Sequence, residues 1–275
     1  MTSEMLLESL KSLADPKKIE RQRDHAKQNG WEWKTCDTIK AGEPDREVKK
    51  VAVSMFATVE TIQKAVEWGA DLLIVHEPTF YVHTDDTVST RIGEMKRKLV
   101  EESGLSIFRF HDHAHAMVPD LIYEGETSFL GLSGERIMLK DFALNRFLLD
   151  EPVTAGELAK RMEDKLGLHH VRIAGATDRP GRLLSCAFGT PGNIARELEE
   201  CDFVLTGEIC EWAEGEMARD WAALGYNKAI LVMTHEGSER AGMELLAKRL
   251  PEMYPELEAE YIECGELYHY TDGQN

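Results

Sequence analysis

The run Leu72-Leu73-Ile74-Val75 is apolar at every position and ends in His76-Glu77-Pro78. A strand without polar alternation is covered on both faces, the condition of a parallel sheet between helical layers. The preceding residues complete a β-α-β unit. Val51-Ala52-Val53-Ser54-Met55 reads as a strand, followed by a helix capped by Thr58, with Glu60 in its first turn and Ile62, Ala65 and Val66 on its apolar face. Arg91 to Ser103 reads as a further helix stopped by Gly104, and Leu105 to Phe110 as a third strand. The expected class is α/β, built mainly of β-α-β units.

A second unit follows the same plan: a strand over Leu183 to Phe188, a helix from Pro191, and a strand over Asp202-Phe203-Val204-Leu205-Thr206. The two units align without gaps at an offset of 131, which sets Ser54 on Ser185, Asp71 on Asp202 and Glu77 on Glu208. Two related α/β domains are therefore expected. Residues 1–30, with Leu6, Leu7, Leu10, Leu13 and Ala14 on one narrow face, read as a helical N-terminal arm. Residues 31–124 together with 226–275 form the first domain, with strand 229–234, helix 239–250 and a strand near Ala259 to Glu263 returning to it. Residues 125–225 form the second. Gly125, Gly131, Gly134 and Lys140-Asp141-Phe142 mark its opening, and it includes a helix over Thr154 to Leu166.

The chain has 275 residues and a formal net charge of −18, which argues against a nucleic-acid backbone as partner. No apolar run reaches the roughly 18 residues of a membrane helix. The first residues lack the basic and apolar regions of a signal peptide. Five cysteines with no CxxC pair suit a reducing cytoplasm. Phosphate-loop, GxGxxG, GxSxG and HExxH signatures are all absent.

Histidines and acids gather where strands end. His76-Glu77 follows one strand, and a second dipeptide, His235-Glu236, follows Leu231-Val232-Met233-Thr234. His111-Asp112-His113-Ala114-His115 follows Ile107-Phe108-Arg109-Phe110. As an extended segment its three histidines share a face; as a helical turn His111 and His115 stack at i and i+4. His235-Glu236-Gly237-Ser238-Glu239 suits a strand-to-helix turn with Ser238 as cap, which frames His235 and Glu239 around one ion. Singly, each motif also suits a turn, a polar loop or a cap. Together they supply the imidazoles and carboxylates of a transition-metal site.

These segments resemble the NIF-three-like family, dinuclear-metal hexameric proteins also labelled GTP cyclohydrolase I type 2 homologues. The resemblance rests on Ala70 to Phe80, on Phe110 to His115, on Gly207-Glu208, and on Thr234-His235 with Ser238 to Met243. It extends from about residue 34 to the C-terminus, with Asp37 to Gly42 similar to an entry segment. It implies a metal site in the interdomain cleft, holding two divalent transition ions (Zn, Fe or Mn), and a homo-hexamer. The implied ligands are His76, Glu77, His111, His115, His235 and Glu239. Glu77 stands where the family has a second histidine, and His115 where it has an aspartate, so either Glu77 or Glu239 is the bridging carboxylate. The expected activity is that of a metal-dependent hydrolase on a small molecule, in its most specific form a GTP ring opening, with Glu208, His113 or Glu236 moving the proton. The alternative is a non-enzymatic metal-binding or regulatory assembly.

Overall fold

The computed structural model describes residues 1–85, 90–138 and 145–271. Lys140-Asp141-Phe142 lies outside them. The chain divides into two units: Met1–Ile122 with Gly242–Gly265, and Tyr123–Ala241 with Glu266–Asn275.

In the first unit, helices α1 (Ser3–Lys11) and α2 (Pro16–Gln28) precede β1 (Ile39–Ala41), β2 (Lys50–Ser54), α3 (Val59–Trp68), β3 (Leu72–Val75), α4 (Arg91–Ser103), β4 (Ser106–Arg109) and α5 (Asp112–Ala116). The chain's last strand, β11 (Glu258–Tyr261), closes a five-stranded sheet of order β1-β4-β3-β2-β11. Its strands run parallel except β1, which lies antiparallel to β4. The helix limits follow local chemistry. Thr58 Oγ1 accepts from Thr61 N–H at 3.0 Å and Thr90 Oγ1 from Gly93 N–H at 3.1 Å, while Gly69 and Gly104 end α3 and α4 at positive φ.

The first thirty residues are not a separate arm. Leu6 and Leu10 are fully buried. Asp15 N–H donates to the Ala116 carbonyl at 2.9 Å, and Lys18 Nζ donates to the carbonyls of His115 at 3.0 Å and Met117 at 2.8 Å. The N-terminal helices thereby hold the C-terminal end of α5, where carbonyls otherwise lack donors.

The second unit contains β5 (Gly134–Met138), β6 (Asn145–Thr154), α7 (Ala155–Leu166), β7 (Arg172–Gly175), β8 (Pro180–Ala187), α8 (Ile194–Glu200), β9 (Phe203–Thr206), α9 (Glu216–Ala223) and β10 (Ala229–Val232). Its six-stranded sheet has the order β5-β6-β8-β9-β10-β7. Only β8, β9 and β10 are mutually parallel. Strand 229–232 pairs with β9 and β7, so residues 226–241 belong here and not, as expected, to the first domain. Helices α6 (Leu121–Phe129) and α10 (His235–Met253) contain the division points.

The internal repeat is visible in hydrogen bonds. Asp71 Oδ2 accepts from Lys49 N–H and Lys50 N–H, both at 2.9 Å; Asp202 Oδ2 accepts from Arg182 N–H and Leu183 N–H at 2.8 and 2.9 Å. Each aspartate fastens the start of its strand to the neighbouring strand. The gapless register is corrected, however. Ser54 pairs with Val75, and Ala187, not Ser185, pairs with Thr206. The connection between these strands is two residues shorter in the second unit.

Candidate metal centre

Parallel strands deliver their C-terminal ends to one edge, where chain reversals leave side chains free for ligands. In the first unit, that edge carries His76 and Glu77 after β3, and α5 after β4. Asp112–Ala116 is helical with His111 as its N-cap, and His115 N–H donates to the His111 carbonyl at 3.1 Å, so His111 and His115 lie on one face and His113 on the other.

Three imidazoles converge. The ligand-capable nitrogens of His76, His111 and His115 lie within 4.8 Å of one another. Each ring is held through Nδ1 by an oxygen acceptor. His76 Nδ1–H donates to the Phe110 carbonyl at 2.9 Å, His111 Nδ1–H to Asp112 Oδ1 at 3.1 Å, and His115 Nδ1–H to Asp120 Oδ2 at 3.2 Å. A carbonyl or carboxylate can only accept, so each neutral ring carries its lone pair on Nε2.

Those lone pairs face each other: Nε2 of His76 and Nε2 of His115 are 3.3 Å apart, and Glu77 Oε1 is 3.7 Å from Nε2 of His111. Two lone pairs at such a distance repel unless a cation lies between them. A proton is a poor candidate, because burial, together with His111 and His115, pushes the His76 pKa well below its usual value. A divalent ion fits. Two nitrogens each about 2.0–2.1 Å from one tetrahedral ion stand roughly 3.3 Å apart.

Asp37 and Arg109 build this set from behind. Asp37 is fully buried, and its carboxylate accepts from the N–H groups of His111, Asp112 and His113 at 2.7, 3.0 and 2.8 Å. It thereby serves the first turn of α5, where amides lack helical partners. Asp37 Oδ2 also accepts from His113 Nδ1–H at 2.7 Å. His113 lines a groove of about 440 Å³ with α1 and α2 residues such as Lys11, Ile19 and Arg23. The structure does not bring it into the imidazole cluster.

Arg109 donates to the carbonyls of His76 and His83 and to Glu77 Oε2. The imidazole of His83 stands edge-on to His111, ring centres 6.1 Å apart, and burial followed by the charge of Arg109 lowers its pKa. Burial works against an ionised Asp112. The hydrogen bonds from His111, the Cys36 N–H and the Thr35 hydroxyl overcome it and hold the carboxyl well below its usual range. Cys36, next to His111 and Asp112, is kept a thiol in the metal-free protein by burial and by Asp112.

The second unit repeats the arrangement with fewer donors. Thr234, at a φ of 75°, turns β10 into α10, and its Oγ1 accepts from Gly237 N–H at 3.1 Å. Thr234 is therefore the cap, and the helix starts at His235, earlier than expected. Ser238 lies inside it, donating to the His235 carbonyl at 2.9 Å and accepting from Gly189 N–H at 3.0 Å. Glu208 Oε1 accepts from His235 Nδ1–H at 2.7 Å, leaving Nε2 3.3 Å from Oε2 of the buried Glu239. The Glu208 side chain is 54% exposed yet bound to the imidazole, so it orients His235. Glu236 lies 3.7 Å from Arg240 in a buried ion pair.

The sequence reading did not single out Asp37, Arg109, Asp120 or His83. Arg109 left a signal, a charge inside an otherwise apolar strand. Asp37 stood only at the head of the Asp37 to Gly42 segment and Asp120 in none of the motifs, since their partners are set by tertiary packing.

Known proteins share both sequence and fold. The chain is 27% identical over 212 residues to a GTP cyclohydrolase 1 type 2 homolog of Neisseria meningitidis serogroup B, covering 75% of this chain and 81% of the relative. A protein of the same description from Streptomyces coelicolor is 27% identical over 236 residues, covering 80% and 79%. Among solved structures, protein ybgI superposes with a TM-score of 0.72 at 19% identity, covering 97% of this chain and 99% of that one. Reduced HcgD from Methanocaldococcus jannaschii superposes with a TM-score of 0.69 at 15% identity, covering 97% and 98%. The profile of the Duf34/NIF3 (NGG1p interacting factor 3) family matches residues 6–266, and the chain belongs to that family.

Proposed function

We propose that the protein is a metal-dependent hydrolase acting on a small molecule, with a dinuclear centre whose ligands are His76, Glu77, His111, His115, His235 and Glu239, the set that the family resemblance implies. The observation that carries this reading is the tautomer pattern. Each of these histidines has Nδ1 on an oxygen acceptor, which turns Nε2 toward another ligand-capable atom: His76 and His115 Nε2 are 3.3 Å apart, Nε2 of His111 is 3.7 Å from Glu77 Oε1, and Nε2 of His235 is 3.3 Å from Glu239 Oε2. Divalent transition ions there supply Lewis-acid polarisation of the bond to be hydrolysed. The chain's own part is to fix the imidazoles through Phe110, Asp112, Asp120 and Glu208 and to hold Glu77 through Arg109. Glu208, exposed and bound to His235, is the proton carrier of the second unit.

The names of the Neisseria and Streptomyces relatives support a cyclohydrolase-type reaction as the first to assay. A homo-hexamer and a cytoplasmic setting complete the proposal, the latter in keeping with five free cysteines. The test is metal-free protein reloaded separately with zinc, iron and manganese and assayed against a panel of hydrolysable substrates. Metal-dependent turnover lost in His76→Ala is expected; turnover unchanged by metal removal contradicts the reading.

A further inference from the structure

Arg109 is fully buried at the end of β4, beside Ile107, Phe108 and Phe110. An unpaired guanidinium there would be strongly unfavourable, so its partners define its purpose. Nε donates to the His76 carbonyl at 2.8 Å, Nη1 to the His83 carbonyl, and Nη2 to Glu77 Oε2 at 3.1 Å. The first two bonds tie together the backbone on either side of the Glu77 turn. The third occupies one carboxylate oxygen and leaves the other, Oε1, facing His111.

Resting on the metal-centre reading above, we infer that Arg109 selects the metal of the first unit: it makes Glu77 a one-oxygen ligand and cancels its charge. Within the first unit the donors then comprise three neutral imidazole nitrogens and one oxygen, with no net charge once Arg109 is counted. Such a set favours borderline ions such as Zn²⁺ over harder ions such as Mn²⁺, which prefer anionic oxygen. Without Arg109, Glu77 presents two oxygens and a full negative charge, and the discrimination narrows. Lysine is no substitute at this position. Its ammonium keeps the charge but not the planar fork that spans two carbonyls and a carboxylate.

The test uses the full chain. Competition titrations measure zinc and manganese affinity for wild type, Arg109→Met and Arg109→Lys, and cobalt-loaded samples report coordination by visible absorption. In Arg109→Met the zinc-to-manganese affinity ratio is expected to fall about ten- to a hundredfold, the usual reach of groups that hold a ligand. The cobalt band is expected to weaken as the second Glu77 oxygen joins. Arg109→Lys recovers part of the ratio. An unchanged ratio and an unchanged cobalt band in Arg109→Met overturn the inference alone. Because the methionine variant can fail to fold, a zinc-loaded wild-type crystal structure gives a second readout. One Glu77 oxygen on zinc with the other on Arg109 supports the inference, and both oxygens on zinc overturn it. Wild type that binds neither ion overturns the metal-centre reading and this inference with it.

Discussion

Asp37 accepts from three backbone amides, the His113 ring and the Cys36 thiol on one buried carboxylate, so its removal takes their acceptor from the amides that open α5. Asp37→Ala is expected to lower unfolding free energy by at least about 3 kcal/mol, read from the urea midpoint, because each bond to a charged acceptor contributes roughly 1.5–3 kcal/mol. Metal retention is expected to fall with it, since α5 and its N-cap residue carry two of the imidazoles, His115 and His111. A second residue-level expectation concerns pH. His76 has a folded pKa depressed below its ordinary 6.5, so the unfolded chain binds the proton first. Stability of metal-free protein is therefore full above pH 6.5 and declines by up to about 1.4 kcal/mol per unit as pH falls toward the folded pKa. Glu126 has the opposite sign. Burial raises its pKa well above 4.5, so its contribution is full below that pH and is lost as pH rises. Chemical denaturation of wild type beside His76→Gln and Glu126→Gln separates the two slopes: each variant loses only its own. What was legible at this scale was chemical type. The histidines and acids at strand ends stood out in the sequence. Their supports did not, because Asp37 and Asp120 meet them only after the chain has folded.

At the scale of elements, close approach around the β9 and β10 ends decides whether His235 is placed. A Cβ on Gly207 would lie 2.7 Å from Ser238 Oγ, 2.7 Å from the Gly189 carbonyl and 2.8 Å from His235 Cα. Gly207→Ala is expected to destabilise by about 1–3 kcal/mol, the usual range for forced overpacking, and to weaken metal binding through His235. Thermal unfolding and metal titration on one sample check both effects. The parallel strands β2, β3, β4, β8, β9 and β10 were readable because they are apolar and followed by clear helical patterns. The antiparallel strands were not. β7 carries Arg172 at its start and is only partly buried, and β6 runs out into exposed Asp150 and Glu151. Their place comes from pairing partners, not from local pattern.

For the whole molecule, the two-unit plan followed from the repeat, but the boundaries did not. Strand 229–232 reads equally well in either domain, and only its pairing with β9 and β7 assigns it. The hexamer proposed here is checked by sedimentation: one species near six times the 31.1 kDa chain mass is expected, and a monomer at micromolar concentration contradicts it. The most direct measurement of the central claim is anomalous X-ray scattering from crystals of protein reloaded with zinc. The expected result is an ion bound by Nε2 of His76, His111 and His115. No anomalous peak at those nitrogens after reloading, or a peak held instead by Nδ1 atoms, would contradict the metal centre described here.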